Sequence, residues 1–146
     1  YLKMPEKTAE VIELIDGYRW YRSGDKGHLD EDGFLTIVDR YSRFAKIGGE
    51  MISLTTVEEE ILDACNEKDL EIAATCLPDQ RKGEKIVLLA TNNLDKNKLT
   101  KQLSDAKVNP LYHPAQVLIV EEIPKLGSGK TDFGATKKIA LVNEQK

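Results

Sequence analysis

Lys130 is the residue of this sequence best suited to chemistry on a charged substrate. It ends the glycine-rich stretch PKLGSGK, which begins at Pro124. An ammonium is a compact point charge, so it can balance the negative charge that develops in phosphoryl or acyl transfer. The stretch is not a Walker phosphate loop, because that motif requires a glycine where this sequence has Pro124. The pattern therefore indicates a single cation presented by a loop.

A carboxylate follows a bend in the stretch YRSGD, which ends at Asp25. Gly24 permits a sharp turn of the backbone, and an ionised aspartate only accepts hydrogen bonds. At the end of a strand, such a carboxylate is suited to bind a vicinal diol such as that of ribose. A plain surface turn is the alternative interpretation of the same residues.

Three cations surround a pair of glycines in DRYSRFAKIGGEM. Arg40, Arg43 and Lys46 precede Gly48 and Gly49. Positive side chains beside exposed backbone suit a phosphate or a phosphopantetheine arm. A hairpin face that is simply solvated is the alternative.

Hairpins are predicted to position these first groups. Aromatic and β-branched residues around the turn cluster DEDG predict a hairpin or small meander over residues 18–39. Gly48 and Gly49 predict a tight primed turn, because both can adopt positive φ. The arms of that second hairpin are 44–47 and 51–54.

Helices and strands alternate over the rest of the chain. Asp95 and Asp132 are each expected to cap a helix, and capping-box spacing starts an earlier helix near residue 55. The capping pairs are Thr55 with Glu58 and Thr56 with Glu59, and the apolar helix positions are Val57, Ile61 and Cys65, then Leu99, Leu103 and Ala106, then Phe133, Ala140 and Val142. The strand-like stretches are 70–76, 85–91 and 116–120. This order predicts an α+β fold: a small sheet of about three strands packed with helices, plus a β-hairpin, preceded by a β-rich tail.

Length and composition narrow the class of protein. The 146 residues, 32% charged and 40% hydrophobic, suit one domain or a small domain with an added segment. No apolar run approaches the roughly 20 residues of a membrane span, and no signal peptide is visible. Two cysteines are too few for a disulfide framework, which favours a reducing compartment. The scattered histidines and cysteines have no zinc spacing, so no metal site is predicted.

Net charge is unevenly distributed. Residues 1–39 hold five Lys/Arg and nine Asp/Glu, whereas residues 40–146 hold sixteen of each. A boundary near residue 40 is therefore indicated. Neither part is basic enough to suggest nucleic-acid binding.

Taken together, these stretches resemble the end of an adenylate-forming enzyme, the superfamily of acyl-CoA synthetases, peptide-synthetase adenylation domains and firefly luciferase. YRSGD matches the family's Tyr-Arg/Lys-Ser/Thr-Gly-Asp motif, and PKLGSGK matches its Pro-Lys-x-x-x-Gly-Lys loop. DRYSRFAKIGGE matches the hinge and first hairpin of the small C-terminal domain. LYHP, Leu111 to Pro114, resembles the Leu-Pro-x-Tyr-x-x-Pro stretch.

The resemblance implies two parts and a role for each motif. Residues 1–41 would be the tail of a large adenylation domain, and residues 42–146 its mobile C-terminal lid, with the hinge at Ser42. Asp25 would bind the ribose hydroxyls of ATP or AMP, and Arg40 the ribose and phosphate region. Lys130 would bridge the substrate carboxylate and the α-phosphate.

The same resemblance assigns the other half-reaction to the hairpin. Lys46 would serve thioester formation, and Gly48 and Gly49 would line the pantetheine tunnel. ATP with Mg²⁺ would be bound mainly by the large N-terminal domain, in cis and upstream of these residues. We therefore expect these 146 residues alone not to catalyse adenylation.

A narrower resemblance is carried by GGEMISL, GEKIVLLAT and PKLGSGKTDF. These stretches resemble the bacterial subfamily of bifunctional acyl-acyl-carrier-protein synthetases/2-acylglycerophosphoethanolamine acyltransferases. The implied partners are a fatty acid and acyl carrier protein, and the product would reacylate a lysophospholipid at the inner membrane, on its cytoplasmic side. An acidic carrier favours a basic rim, for which the candidates are Arg43, Lys46, Arg81 and Lys82.

Two other functions are weighed against this one. The first is the lid of an acyl-CoA or other carboxylate–CoA ligase, in which Lys130 and Asp25 would serve equally well. The second is an α+β interaction module without catalysis, in which Lys130 would have no chemical role. The ordered set of motifs favours the ligases.

Overall fold

The computed structural model describes residues 1–91 and 94–144. The chain divides into two compact units, Tyr1–Ser42 and Arg43–Lys146. Within the described residues, no helix combines the length and the apolarity needed to cross a membrane.

The first unit is a short helix followed by two antiparallel hairpins. Asp16 and Gly17, with φ of 52° and 81°, form the turn of the first hairpin, and these are the positive values that a primed turn requires. The elements are α1 Pro5–Val11, β1 Ile12–Ile15, β2 Tyr18–Tyr21, β3 Asp25–Leu29 and β4 Leu35–Arg40. The predicted hairpin or meander over residues 18–39 did not include β1, which precedes the Asp16–Gly17 turn and pairs with β2. It also did not include α1, a helix with Pro5 at its first position.

The first unit contains no buried residue. Large apolar side chains are exposed on both hairpins: Leu14 is 74%, Tyr18 73% and Phe34 71% exposed. A two-stranded hairpin is marginally stable by itself in water. Its apolar faces therefore suit a neighbouring surface that would cover them.

The second unit is a mixed sheet with helices on both faces. Its elements are β5 Phe44–Ile47, β6 Glu50–Ser53, α2 Leu54–Cys65, β7 Ile72–Asp79, β8 Gly83–Thr91, α3 Lys96–Asp105, β9 Gln116–Val120 and α4 Phe133–Glu144. β8 lies between antiparallel β7 and parallel β9, and the β5–β6 hairpin joins β8 through one pairing, Ile47 with Gly83. The predicted α+β fold, three strands plus a hairpin, is confirmed.

Alternation along β8 builds two cores. Ile86 and Leu88 contribute to the apolar cluster that contains α2 and α3 residues, whereas Val87 and Leu89 contribute to the cluster that contains Ala140 of α4. This follows from the period of two in a strand, which sends successive side chains to opposite faces. A strand buried on both faces reads as a continuous apolar run, as this one does.

Some of the helix predictions need correction. The N-cap of α2 is Ser53, whose hydroxyl accepts from the Thr56 amide at 3.2 Å, and not Thr55 or Thr56. Leu54 is the first residue of the helix, and its side chain is buried in the core.

The last two helices bury fewer of the predicted positions. Ala106 is the exposed C-cap of α3, and Val142 is 58% exposed. On α4 the buried pair is Thr136 and Ala140, one helical turn apart. Thr136 tolerates burial because its hydroxyl donates to the Asp132 carbonyl at 2.8 Å.

Substitutions of Ile61 and Leu62 test which face of α2 packs against the core. Ile61 is 0% exposed and its neighbour Leu62 is 36% exposed. Ile61→Ala is expected to lower the free energy of unfolding by about 2–5 kcal/mol, because it leaves a cavity in a packed core. Leu62→Ala is the matched control and should cost clearly less. Urea unfolding followed by far-ultraviolet circular dichroism measures both, and equal losses would contradict the assigned face.

Candidate functional site

The Lys130 loop is a closed turn with defined hydrogen bonds. The Leu126 amide donates to the Lys130 carbonyl at 2.7 Å, and the Gly129 amide donates to the Leu126 carbonyl at 2.8 Å. Gly129 has a φ of 82°, which favours glycine at this position. The Lys130 side chain is exposed and makes no ion pair within residues 1–91 and 94–144. Its ammonium is therefore available to a ligand.

Two anchors fix this loop to the second unit. Lys125 Nζ lies 2.8 Å from Glu71 Oε1, just before β7. The loop is closed at its base by the Asp132 amide, which donates to the Pro124 carbonyl at 2.8 Å. Asp132 Oδ1 also accepts from the Ala135 amide at 2.9 Å, which confirms it as the cap of α4. The loop is thus tied to the sheet and to the last helix.

Asp25 and Arg40 lie opposite each other in the β3–β4 ladder. Arg40 Nε is 3.2 Å from Asp25 Oδ1, and the Arg40 side chain is 70% exposed against 27% for Asp25. Gly24, with a φ of 78°, makes the bend before Asp25, and its carbonyl accepts from the Tyr41 amide at 2.9 Å. The structure therefore brings together the two residues predicted to contact a nucleotide. A diol that binds Asp25 must share the carboxylate with Arg40 or displace it.

The turn after Lys46 lies beside an open cleft. Gly48 and Gly49 have φ of 60° and 94°, as the predicted tight turn requires. Lys46, Gly49, Lys82, Gly83 and Glu84 line an open cleft of about 510 Å³. Two lysines at its rim favour an anionic ligand.

Glu84 is a residue of this cleft that the sequence did not reveal. Its Oε2 accepts from the Lys46 amide at 2.5 Å, and its Oε1 accepts from the Cys76 thiol at 3.4 Å. Burial, followed by the Glu84 carboxylate, raises the pKa of Cys76. Glu84 and Lys46 are 38 residues apart in the chain, so no local pattern could have paired them.

Arg43 does not belong to the predicted carrier-protein patch. It is 5% exposed, and its guanidinium is engaged inside the unit with Glu58 Oε2 at 2.5 Å. A patch that meets another protein needs exposed charge, so only Lys46, Arg81 and Lys82 remain as candidates. Ser42 lies in a short 3₁₀ turn, Tyr41–Arg43, and is the last residue of the first unit. Its role as the hinge stays a prediction.

The Lys46 cleft and the Lys130 loop lie at opposite ends of β8. The cleft includes Gly83, the first residue of that strand. The loop is anchored at Glu71, whose amide donates to Thr91 Oγ1 at 3.3 Å, at the other end. Eight steps of about 3.3 Å place these ends about 26 Å apart. One ligand atom therefore cannot meet both lysines at once.

Metal binding is not supported by any side-chain cluster in the described ranges, 1–91 and 94–144. No group of three or more His, Cys, Asp or Glu residues there could hold an ion. Binding of Mg²⁺ with ATP stays a prediction.

Known proteins resemble this chain over most of its length. No protein-family model matches it. The 2-succinylbenzoate–CoA ligase of Listeria monocytogenes is 35% identical over 134 residues, which are 90% of this chain and 28% of that enzyme. The medium-chain fatty-acid–CoA ligase of Escherichia coli is 30% identical over 135 residues, 89% of this chain and 23% of that enzyme.

The fold is also shared with a solved structure. The ATP-bound crystal structure of MatB from Rhodopseudomonas palustris has a TM-score of 0.74 at 23% identity, covering 95% of this chain and 27% of that one. This chain corresponds to the C-terminal domain of the adenylate-forming acyl- and aryl-CoA ligase superfamily. It spans about a quarter of the length of these ligases. The activity of a whole ligase is therefore a proposal for this chain.

Substitutions of Glu58 and Glu71 compare how much a buried and an exposed ion pair stabilise the second unit. The Glu58 side chain is 17% exposed and pairs with buried Arg43, whereas that of Glu71 is 50% exposed and pairs with Lys125. Glu58→Gln is expected to lower the free energy of unfolding by about 3–5 kcal/mol, because it leaves a buried guanidinium without its counter-charge.

Glu71→Gln is the matched control, with an expected loss of about 1 kcal/mol or less, because solvent screens an exposed pair. Both are measured by urea unfolding. Similar losses in the two variants would contradict the assignment of Arg43–Glu58 as the buried pair.

Proposed function

We propose that this chain is the lid, with the end of the large domain, of an AMP-forming ligase that joins a carboxylic acid to a thiol. The observation that carries the proposal is Lys130: its ammonium is exposed, makes no ion pair with the residues that the structure describes, and lies on a loop tied to the sheet and to α4. The names of the relatives, which are CoA ligases of aromatic and fatty acids, support the reaction class. The exposed apolar faces of the first unit support its assignment, residues 1–41, to a larger domain.

In the adenylation step, a carboxylate oxygen of the acid attacks the α-phosphorus of ATP, and the bond to pyrophosphate breaks. Lys130 Nζ would contact both the carboxylate and the α-phosphate, where it offsets charge on the nonbridging oxygens. Asp25 would accept hydrogen bonds from the ribose hydroxyls. Arg40, already beside Asp25, would then be near the phosphate.

In the thioester step, the sulfur of the thiol attacks the acyl carbon, and AMP leaves. Lys46 and the Gly48–Gly49 turn would face this reaction. Because they lie beside the opposite end of β8 from the Lys130 loop, and the ends of that strand are about 26 Å apart, the lid must present a different end in each step. Rotation at Ser42 between the two units would accomplish this.

The thiol acceptor, in this proposal, carries a phosphopantetheine arm. The names of the relatives favour free CoA, whereas the exposed Lys46, Arg81 and Lys82 favour an acidic carrier protein. More specifically, we propose that the ligase is an acyl-acyl-carrier-protein synthetase and that its carboxylic acid is a fatty acid. Transfer to a lysophospholipid and a site at the bacterial inner membrane stay predictions from the subfamily resemblance.

Lys130→Ala tests the proposed catalytic residue in the full-length protein. Loss of a preorganised cation should lower the rate of adenylate formation by about 10²–10³-fold. The measurement is carboxylate-dependent ATP–pyrophosphate exchange, with several carboxylic acids including a fatty acid. Lys138→Ala, an exposed lysine on α4, is the control and should stay within about twofold of wild type. Unchanged exchange in Lys130→Ala would contradict the assigned role.

The acceptor is tested by charge reversal at the rim of the cleft. Lys82→Glu with Arg81→Glu should weaken binding of an acidic carrier protein by at least about tenfold at low salt, because the basic rim is lost. Added salt should reduce the difference between the variant and wild type. Kd values for the carrier and for CoA are measured on the full-length protein. An unchanged carrier Kd would reject the carrier protein as the preferred acceptor.

A further inference from the structure

Arg43 forms the centre of a buried polar network that connects three elements of the second unit. Its Nη1 donates to the Ala74 carbonyl of β7 at 2.9 Å. Its Nη2 donates to Thr55 Oγ1 at 3.3 Å and to Glu58 Oε2 at 2.5 Å, both on α2. The guanidinium is planar and carries five donors, so one side chain can meet several acceptors at fixed angles.

Glu58 completes the network on the same residue of β7. Its Oε1 accepts from the Ala74 amide at 2.6 Å, so the Arg43–Glu58 pair bonds both backbone groups of Ala74. β7 pairs only with β8 in the described sheet, which leaves its other edge unpaired. The ion pair thus takes the place of a neighbouring strand at this point and fixes the guanidinium against the sheet.

Phe133 covers the face of the same guanidinium. The ring centroid is 3.7 Å from Arg43 Cζ, a distance at which an arginine stacks on an aromatic ring. Phe133 is the first residue of α4 and lies three positions after Lys130. Between them, Thr131 pairs with Lys125, and Asp132 caps the helix. Few rotatable bonds of the chain therefore separate the stacked ring from the lysine loop.

We propose that Arg43 is a positioning residue that sets the placement of the Lys130 loop through the ring of Phe133. The edge of β7 and α2 fix the guanidinium, and the guanidinium fixes the ring of Phe133. The ring in turn fixes the start of α4, which directly follows the loop. Arg43 also directly follows Ser42, so the first residue of the second unit carries this link. The inference rests on the proposed function of Lys130 and adds a residue that acts on it from within the fold.

The test compares the two half-reactions in the full-length protein. Arg43→Lys and Phe133→Leu should each lower kcat for adenylate formation by at least about tenfold, because displacement of a catalytic group by about 1 Å is costly. KM for ATP should change by less than about threefold, and thioester formation from supplied acyl-adenylate should stay within about twofold of wild type. Arg19→Lys, an exposed arginine of β2, is the matched control and should leave both half-reactions unchanged.

The double variant separates coupling from independent damage. If the two residues act through their contact, Arg43→Lys with Phe133→Leu should lose no more than the larger single loss. Multiplied losses, equal losses in both half-reactions, or full adenylation activity in Phe133→Leu would overturn the proposal. Phe133 is 40% exposed, so its variant remains informative if Arg43→Lys does not fold.

A second measurement does not depend on enzyme activity. In the 146-residue chain, Phe133→Leu should raise amide hydrogen exchange at Gly129 and Asp132, whose amides bond within the loop, by at least about tenfold. Exchange along β8 should stay unchanged. Unaltered exchange in the loop would overturn the positioning role. If Phe133→Leu raises exchange in the loop but the full-length wild-type protein makes no adenylate, the proposed function fails and the structural link stands.

Discussion

The pairing of Arg43 with Glu58 at the open edge of β7 is the constraint on which the second unit depends. A charged pair removed from water is costly unless its hydrogen-bonding capacity is used. Here the guanidinium and the carboxylate bond each other and both backbone groups of Ala74, and Phe133 stacks on one face of the guanidinium. The buried charge is therefore compensated, and α2, the sheet and the start of α4 are fixed relative to one another.

That constraint matters because β8 separates two functional ends of one small unit. The Lys130 loop belongs to one end, through Glu71 and Thr91, and the Lys46 cleft to the other, through Gly83. A rigid strand between them means that neither end can approach the other. Any enzyme that uses both must turn the whole unit, which is the physical reason for proposing a hinge.

The first unit has the opposite character. Its hairpins have good turn geometry and a salt bridge between Asp25 and Arg40, but no buried residue. The sequence of this unit thus specifies its hairpins, but no buried core of its own stabilises them. This combination is expected of a segment whose apolar faces are covered by another domain, and it agrees with the proposal that residues 1–41 end a larger one.

Features that depend only on neighbouring residues could be predicted from the sequence by itself. Gly48 and Gly49 form the predicted tight turn because both can adopt positive φ, and Asp132 caps α4 with its own side chain. The order of the short motifs indicated the superfamily. Tertiary structure decided what depends on distant partners. It buried Arg43, which the expectation of an acidic partner placed in an exposed basic rim, and it paired Lys46 with Glu84. Neither feature could be predicted, because contacts between residues far apart in the chain leave no pattern in local spacing.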